Sequence, residues 1–505
     1  MAIAKGGLRK YCSIVGAHFL RAPFSFVWIY GNLSAYTDSY FRFSCYHKCS
    51  DCDPQWLLSL YVAGMFPGFF MVKPLVKAFG LKWTGIIAMA IISIALLGSA
   101  WSMQVSIAWT AAMYGVLLGP GAGISSNVII QTVSGWAPER AAVLLATTSG
   151  AGTLLAVVQN QIITAFVNPE NLQPDAKIGP RTYFSQPEIL DRVPRVLIIY
   201  GAMTLGLQMI GCLLITDPSN HSSDSSGETT AHAKVSTEVE ELVAHGQGNS
   251  FNLTENNQAN KGYGSHCESS KNMEIMDVSS HLSANPCGNS KAETIEEKVG
   301  TNLRSQKTYS YTPKEVLRSP VFYAVAFFGI TMEYGILLVA NFYKKFALLY
   351  IHNDKYLTLV GTLVPIISTC SRFMFGIFMD KPLLTLKDVI IIGLSINCVL
   401  CAFWYLSARV SGILYMFLIL GLSGAQGLMY VVLPTSALRL FGPTHLSTNY
   451  GLVASCTLIS SILSPIINSP LLHALGWRWV FTAGSVFNLL VLCYVTVTEF
   501  KSQMQ

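Results

Sequence analysis

Long apolar stretches separated by short polar breaks run along most of this chain. A helix needs about 20 consecutive, mostly apolar residues to cross the hydrocarbon core of a bilayer. Twelve stretches approach that length, near residues 16–36, 55–77, 83–103, 107–133, 141–167, 194–216, 319–343, 355–379, 386–408, 411–437, 445–469 and 474–498. The pattern predicts an all-α membrane protein with twelve transmembrane helices.

One long polar segment divides the stretches into six and six. Residues 217–310 contain 13 Asp or Glu and 7 Lys or Arg, but few aromatic residues or aliphatic runs. Such a segment cannot bury enough apolar surface to offset the entropy of folding, so we predict a disordered linker over 217–318. Residues 1–216 then form an N-terminal six-helix bundle, and residues 319–505 form a C-terminal six-helix bundle.

The charges near the ends of the stretches indicate an orientation. An even number of spans places both termini and the linker on the same side of the membrane. That side carries 14 Lys or Arg near span ends and the other side carries 11, so the positive-inside rule agrees with a cytoplasmic linker. The difference is small, and the charges by themselves do not fix the orientation. We expect a cytoplasmic linker in a multi-pass protein of the plasma membrane, with an organelle membrane as the alternative.

The composition agrees with a membrane protein and argues against other classes. The chain is 51% hydrophobic and 12% charged, with a mean hydropathy of +0.45, whereas soluble chains carry about 25% charged residues. The basic residues are dispersed among membrane loops, so we expect no nucleic-acid partner. We find no nucleotide-binding loop and no nucleophile–base arrangement, and we expect neither enzyme activity nor a cofactor.

A compact cysteine cluster follows the first stretch. The segment CYHKCSDC contains Cys45, Cys49 and Cys52 together with His47. The spacing allows a zinc site, but a lone cluster without a second pair of ligands is a weak zinc signal. We prefer a disulfide in a loop on the outer side, with one thiol left over, and therefore expect no bound metal.

An arginine interrupts the apolar stretch VPIISTCSRFMFGIFMDKP, residues 364–382. Placing Arg372 deep in a membrane helix costs roughly 2.5 to 3.5 kcal/mol on insertion scales, so something must compensate for its charge. Glu333, within residues 324–343, is the best candidate for that compensating acid. We predict that the two side chains pair in the empty protein and that protonation of Glu333 releases Arg372. The alternative is a static structural ion pair.

Four stretches together resemble the oxalate/formate antiporter and monocarboxylate transporter branch of the major facilitator superfamily. They are SFVWIYGNLSAYTDSYFR (25–42), GPGAGISSNVIIQTVSGWAPERA (119–141), SRFMFGIFMDK (371–381) and FGPTHLSTNYGLV (441–453). The resemblance covers both bundles and not the linker. It implies the major facilitator fold, in which two six-helix bundles rock about a shared site at the middle of the membrane.

The resemblance also implies a binding site. The arginine of span eight anchors the substrate carboxylate in that branch, and this role transfers to Arg372. Thr457 replaces a lysine of the oxalate-type members, which leaves one buried cation and favours a monovalent anion. Family position nominates six further lining residues, for which helix packing is the alternative role: Trp28, Tyr30, Asn127, Gln131, Gln426 and Tyr430.

Two short loops resemble the superfamily's conserved loop G-x-x-x-D-R-x-G-R in degenerate form. KPLVKAFGLK (73–82) has Lys77 where the acid would be, and GIFMDKP (376–382) keeps an acid–base pair in Asp380 and Lys381. We expect these three residues to act in gating. The alternative is that the loops are basic cytoplasmic turns that fix the topology.

Together the residues and the resemblance predict a secondary active transporter. It would move small monocarboxylates of the lactate, pyruvate or formate type by alternating access, either coupled to protons or in exchange for another anion. The expected partners are this anion, protons and the lipid bilayer, and an accessory membrane subunit is left open. A dicarboxylate or organic-anion exchanger and a non-transporting membrane sensor or adaptor are the alternatives.

Overall fold

Twelve long apolar helical spans make up most of the structure, which is a computed structural model. It describes residues 2–44, 53–137, 140–217, 310–380, 384–442 and 445–500. Spans 1 to 12 are, in order, Gly7–Phe43, Gln55–Phe79, Leu81–Val105, Ile107–Trp136, Thr147–Val167, Pro187–Leu214, Pro320–Ala347, Asp354–Phe378, Leu386–Val410, Gly412–Arg439, Thr448–Leu475 and Trp477–Val497. The predicted all-α fold with twelve spans is confirmed.

Eighteen α-helices and one small sheet compose the described chain. The helices are α1 (Ala2–Leu20), α2 (Phe26–Phe43), α3 (Gln55–Phe79), α4 (Leu81–Val105), α5 (Ile107–Ala112), α6 (Gly119–Trp136), α7 (Ala141–Val167), α8 (Pro187–Leu190), α9 (Arg192–Leu214), α10 (Pro313–Val316), α11 (Pro320–Ala347), α12 (Asp354–Asp380), α13 (Leu386–Val410), α14 (Gly412–Gly427), α15 (Met429–Arg439), α16 (Leu446–Ala454), α17 (Cys456–Leu475) and α18 (Trp477–Val497). A π-helical segment, Met113–Leu118, connects α5 to α6.

The first span is broken near its middle. Helix α1 ends at Leu20, a 3₁₀ turn covers Ala22–Ser25, and α2 starts at Phe26. Pro23 explains the break, since proline has no N–H for the helical ladder and its ring clashes with the preceding turn. The predicted stretch of 16–36 was too short because polar residues near both ends lower the local hydropathy, whereas the helices continue through them.

A two-stranded hairpin covers one end of the spans. Strands β1 (Ala176–Ile178) and β2 (Arg181–Tyr183) pair antiparallel between spans 5 and 6. Gly179 has a φ of +58° in the turn, a conformation that costs glycine little. The indole of Trp477 donates a hydrogen bond of 2.5 Å to the carbonyl of Pro180. We call this the hairpin end, and the opposite end, where residues 217 and 310 lie, the linker end.

The buried apolar clusters differ between the two ends. At the hairpin end a single cluster includes residues of both halves, for example Phe26 and Tyr36 with Phe346 and Trp477. At the linker end one cluster comprises buried residues of the C-terminal half, and another comprises residues of the N-terminal half. Shared burial excludes water, so the two halves are closed against each other at the hairpin end.

Parts of two predictions lie outside the described residues. The cysteine cluster with Cys45, His47, Cys49 and Cys52 is one, and residues 218–309 of the predicted linker are the other. The last part of the predicted linker, 310–318, is described. It contains α10, whose N-terminus has a capping box made by Thr312 and Glu315, and the amide of Tyr311 donates to the carbonyl of Phe441 at 2.8 Å.

Candidate functional site

Arg372 lies in the cleft between the two halves. Its guanidinium stacks over the ring of Tyr430 at 4.0 Å, and it lies 5.6 Å from the ring centre of Trp28. It donates hydrogen bonds of 3.2 Å to Ser149 and to Ser368. Trp28 and Ser149 belong to the N-terminal half and the other two to the C-terminal half. The side chain is therefore held by both bundles, as the prediction of a central site requires.

A single face of α12 explains why the arginine points toward the other half. Asp354 and the carbonyl of Gly361 in this helix accept hydrogen bonds from the N-terminal half, and the hydroxyl of Thr358 shares one with Thr164. These positions recur at intervals of three or four residues, and Ser368 and Arg372 continue the same series. Residues so spaced share one side of a helix, so Arg372 extends a stripe that contacts the N-terminal bundle.

The predicted ion pair between Arg372 and Glu333 is absent from this conformation. Three ion pairs occur among the described residues, and neither side chain takes part in them. Glu333 is 4% exposed and lies within electrostatic range of Tyr430. The prediction of a direct pair was wrong, and the group that contacts the guanidinium is instead the ring of Tyr430. Cation–π contacts of this kind stabilise an arginine by about 0.5 to 2 kcal/mol.

A second arginine lies near this site and was missed. Arg21 occupies the break in span 1, where its guanidinium stacks over Phe24 at 4.0 Å and donates to the hydroxyl of Ser126 at 3.0 Å. It is within electrostatic range of Arg372 and Tyr430. The expectation of one buried cation was therefore wrong. The signal in the sequence was an arginine two residues before a proline inside an apolar stretch.

Two of the other predicted lining residues lie near Arg372 in addition to its stacking partners. Gln426 borders a small, mostly apolar cavity that Trp28 also lines, and its amide is 3.5 Å from the carbonyl oxygen of Asn397. Glu333 is within electrostatic range of Tyr430, on which Arg372 stacks. The structure thus gathers Arg372, Trp28, Tyr430, Gln426 and Glu333 in one region.

Three predicted lining residues lie elsewhere. The hydroxyl of Tyr30 donates to the carbonyl of Pro54 at 2.8 Å, so this residue is fully engaged within the N-terminal half. It is two positions from Trp28 and therefore faces another side of α2. Asn127 donates to the carbonyl of Phe69 at 3.4 Å, and Gln131 is exposed one turn further along α6. These residues have helix-packing or surface roles in this conformation.

Among the predicted gating residues, Lys77 is the one whose side chain the structure describes. Lys77 is exposed in the last turn of α3 and has no hydrogen bond or ion pair to any residue within the described ranges. Asp380 ends α12, but its side chain is not described, and Lys381 lies outside the described residues. The gating role of these three residues stays a prediction.

The hairpin end holds a buried network that joins the two halves. The amino group of Lys344 lies 2.6 Å from a carboxylate oxygen of Asp354, 2.6 Å from the amide oxygen of Asn32 and 3.0 Å from the hydroxyl of Tyr36. Asp354 accepts further hydrogen bonds from Tyr36 and, at 3.0 Å, from Asn168. Lys344 and Asp354 belong to the C-terminal half, whereas their partners Asn32, Tyr36 and Asn168 belong to the N-terminal half. Each hydrogen bond between the two groups therefore crosses the cleft.

Two more buried ion pairs lie at this end, one between the halves and one within the N-terminal half. Lys345 and Asp38 are 2.7 Å apart across the halves, and Arg181 of the hairpin lies 2.8 Å from Asp53. Burial raises the pKa of Asp53, but the charge and hydrogen bonds of Arg181 outweigh that effect and lower it to about 2. Lys344 and Lys345 lie just beyond the predicted stretch 319–343. Helix α11 instead continues to Ala347 and buries both of them.

Comparisons with known proteins agree with this architecture. Residues 353–504 match the family described as Major Facilitator Superfamily, and residues 20–206 match the family described as Sugar (and other) transporter. Apicoplast pyruvate carrier 1 of Toxoplasma gondii is 24% identical over 426 residues, which are 81% of this chain and 68% of that protein.

Solved structures show the same fold. The inward-open conformation of the xylose transporter XylE from E. coli superimposes with a TM-score of 0.60 at 12% identity, over 98% of this chain and 97% of that chain. The nucleoside transporter NupG superimposes with a TM-score of 0.56 at 12% identity, over 97% and 99% of the two chains. The twelve spans and the similarity to these solved structures lead to one assignment: this chain has the major facilitator fold and is a multi-pass membrane protein, and its two halves are similar to the families described as Sugar (and other) transporter and Major Facilitator Superfamily.

Proposed function

We propose that the protein carries small monocarboxylate anions of the lactate, pyruvate or formate type across a membrane by alternating access. The observation that supports this most directly is Arg372. It is a cation in the cleft between the halves, stacked on Tyr430 and near Trp28, and it has no carboxylate partner among the described residues. The similarity to a protein named as a pyruvate carrier and the resemblance of four motifs to the monocarboxylate branch point the same way.

The chemistry of the guanidinium suits this role. Its planar fork of N–H donors matches the two oxygens of a carboxylate, and such charge-assisted pairs are stronger than neutral hydrogen bonds. The Nε atom of Arg372 has no hydrogen-bond partner among the described residues although it is buried. A bound carboxylate would satisfy that donor and neutralise the charge.

The closed hairpin end fits one state of such a cycle. Tyr430 and Tyr450 are 38% and 39% exposed, and both lie within electrostatic range of Arg21. We infer that the space beside the two arginines opens toward the linker end. Separation of Lys344 and Lys345 from their partners in the N-terminal half would open the opposite end, as alternating access requires.

A neutral sugar is the second candidate substrate, because residues 20–206 match the family described as Sugar (and other) transporter. The cleft argues against it. Two arginines lie near each other there, and a neutral ligand would supply no negative charge to compensate for them. A dicarboxylate would compensate for both charges, and it belongs in the same panel of substrates.

Uptake by the purified protein in proteoliposomes tests the proposal. The panel comprises labelled pyruvate, lactate, formate, malonate and xylose. We expect uptake of the monocarboxylates, and Arg372→Gln should lower it by about a hundredfold, since leaving one member of a buried charged pair unmatched costs about 2 to 5 kcal/mol. Arg409→Gln is the matched control, because Arg409 also stacks on a tyrosine, Tyr405 at 4.3 Å, but lies exposed at a helix end.

Several outcomes would contradict the proposal. Uptake of xylose without uptake of any carboxylate would assign a sugar, and malonate preferred over pyruvate would assign a dicarboxylate. Absence of transport for the whole panel would favour a sensor or adaptor. Equal losses in Arg372→Gln and Arg409→Gln would show that Arg372 has no specific role. Uptake driven by an inward proton gradient, compared with uptake into liposomes preloaded with anion, separates proton coupling from exchange.

A further inference from the structure

Within the described residues, the guanidinium of Arg21 has one hydrogen-bond acceptor, the hydroxyl of Ser126. One terminal nitrogen donates to Ser126 at 3.0 Å, and the aliphatic stem passes close to Gly152. A Cβ atom at Gly152 would lie 2.8 Å from Cγ of Arg21 and 2.9 Å from its carbonyl oxygen, so a glycine is needed there for close approach. No acidic side chain within the described ranges pairs with Arg21.

The two arginines approach the same space from different halves. Arg21 comes from the break in span 1, and Arg372 comes from span 8 in the other bundle. Both contact helix α7 within one turn, because Arg21 packs against Gly152 and Arg372 donates to Ser149, and both are within electrostatic range of Tyr430. Two cations so placed repel each other in the empty protein, and a ligand with oxygen atoms at both sides would relieve that repulsion.

We propose that Arg21 determines substrate specificity by donating a hydrogen bond to a second oxygen of the anion whose carboxylate binds Arg372. The inference rests on the proposed function and narrows its substrate class to monocarboxylates with an oxygen on the neighbouring carbon, that is 2-oxo and 2-hydroxy acids. A simple carboxylate of the same size would leave the donors of Arg21 unpaired. Sites that hydrogen-bond a substrate oxygen discriminate strongly against analogues that lack it.

The charges in the cleft favour a monoanion with two polar groups over a dianion. Arg21 and Arg372 contribute two positive charges, and Glu333, buried beside Tyr430, contributes one negative charge when it is ionised. One further negative charge balances this set. A carboxylate supplies it, and the uncharged oxygen at the second carbon accepts from Arg21 without adding charge.

The test compares three acids of equal carbon number: pyruvate, lactate and propionate. Their inhibition constants against labelled pyruvate uptake are measured for the wild type, Arg21→Gln, Arg21→Lys and Ser126→Ala. We expect the wild type to bind pyruvate at least about tenfold more tightly than propionate. In Arg21→Gln the ratio of the inhibition constant of propionate to that of pyruvate should fall toward one, while the inhibition constant of propionate itself changes less than about threefold.

The conservative variants separate specificity from structure. Arg21→Lys keeps the charge but loses the planar fork, so it should retain part of the preference. Ser126→Ala removes a positioning contact and should lower the ratio less than Arg21→Gln does. If Arg21→Gln does not insert or fold, these two variants still report the ratio, and binding of the acids to purified protein is read from intrinsic tryptophan fluorescence.

The failures can be told apart. If the wild type carries monocarboxylates but does not distinguish pyruvate from propionate, the inference about Arg21 is wrong and the proposed function stands. An unchanged ratio in Arg21→Gln has the same meaning, as does an equal weakening of all three acids. If the wild type neither binds nor carries any of the three acids, the proposed function and the inference both fail.

Discussion

Replacing Lys344 by methionine should open the hairpin end of the protein. The amino group of Lys344 is fully buried and makes two hydrogen bonds to the other half, with Asn32 at 2.6 Å and Tyr36 at 3.0 Å. Methionine fills a similar volume but cannot donate. The variant therefore removes the polar contacts of this side chain across the cleft and preserves much of its packing.

The contacts set the expected magnitude. A hydrogen bond from a charged donor contributes about 1.5 to 3 kcal/mol, so the loss of two such bonds weakens the closed hairpin end by roughly 3 kcal/mol or more. That corresponds to a shift of roughly a hundredfold in the ratio of open to closed molecules. Asp354 is also left buried without its partner at 2.6 Å, which destabilises the closed state further because water reaches the carboxylate only when the cleft opens.

Labelling of an introduced cysteine measures this shift. Ala340→Cys places a thiol in the small cavity that Trp28 also lines, and Ala340 is 7% exposed. A membrane-impermeant maleimide added from the hairpin side should react roughly a hundredfold faster when Lys344→Met is also present. Lys387→Met is the matched control, because Lys387 donates to the carbonyls of Thr496 and Thr498 at the linker end.

An unchanged labelling rate in Lys344→Met would refute the reasoning, since it would mean that the network does not hold the halves together. Equal acceleration by Lys387→Met would also refute it, because the effect would then reflect general loosening. The double variant Lys344→Met/Asp354→Leu adds a second check. It should melt at a higher temperature than Lys344→Met alone, because it leaves no unpaired buried charge, yet remain open to the reagent.

Two further predictions concern stability. The pKa of Asp53 is lowered to about 2 beside Arg181, compared with about 3.9 in an unfolded chain, so the ionised carboxylate stabilises the fold by roughly 2 to 3 kcal/mol at neutral pH, and this contribution is lost as the pH falls through about 4 toward 2. Asp53→Asn should therefore lower the melting temperature at pH 7 and flatten its dependence on acid pH. An unchanged pH profile of the melting temperature would contradict the stabilising role of the Asp53–Arg181 ion pair. Gly123→Ala should abolish the recovery of monodisperse protein, because its Cβ would lie 2.2 Å from the carbonyl oxygen of Met65 in the packed helix α3, whereas Gly206→Ala, with nothing within 4 Å, should behave as the wild type in size-exclusion chromatography.

Some features of the site follow from local sequence and others do not. Arg372 could be recognised because a permanent charge in an apolar stretch demands compensation, and its stacking on Tyr430 and proximity to Trp28 agree with the residues that the motif resemblance nominated. That Arg372 stacks on Tyr430 instead of pairing with Glu333 could not be predicted from the spacing of residues along two helices. Whether a carboxylate or an aromatic ring occupies the place next to a guanidinium depends on how three helices pack.

Span boundaries show a similar limit. A hydropathy window ends where polar residues begin, so the predicted stretches 16–36 and 319–343 leave out Asp38, Lys344 and Lys345. The helices continue through them, and the side chains are buried because they meet partners from the other half. The pattern also passed over Arg21, since one arginine among apolar neighbours hardly lowers the mean hydropathy of a span.

The amino-acid sequence by itself determined the number of spans, their division into six and six, and the presence of a cation in span 8. These are local properties, because the transfer of about 20 apolar residues into a bilayer depends on those residues alone. Only the tertiary structure decided which end is closed and what surrounds each buried charge. Lys345 and Asp38 are separated by 307 positions in the chain, and a contact across such a distance exists only after both bundles have folded and met.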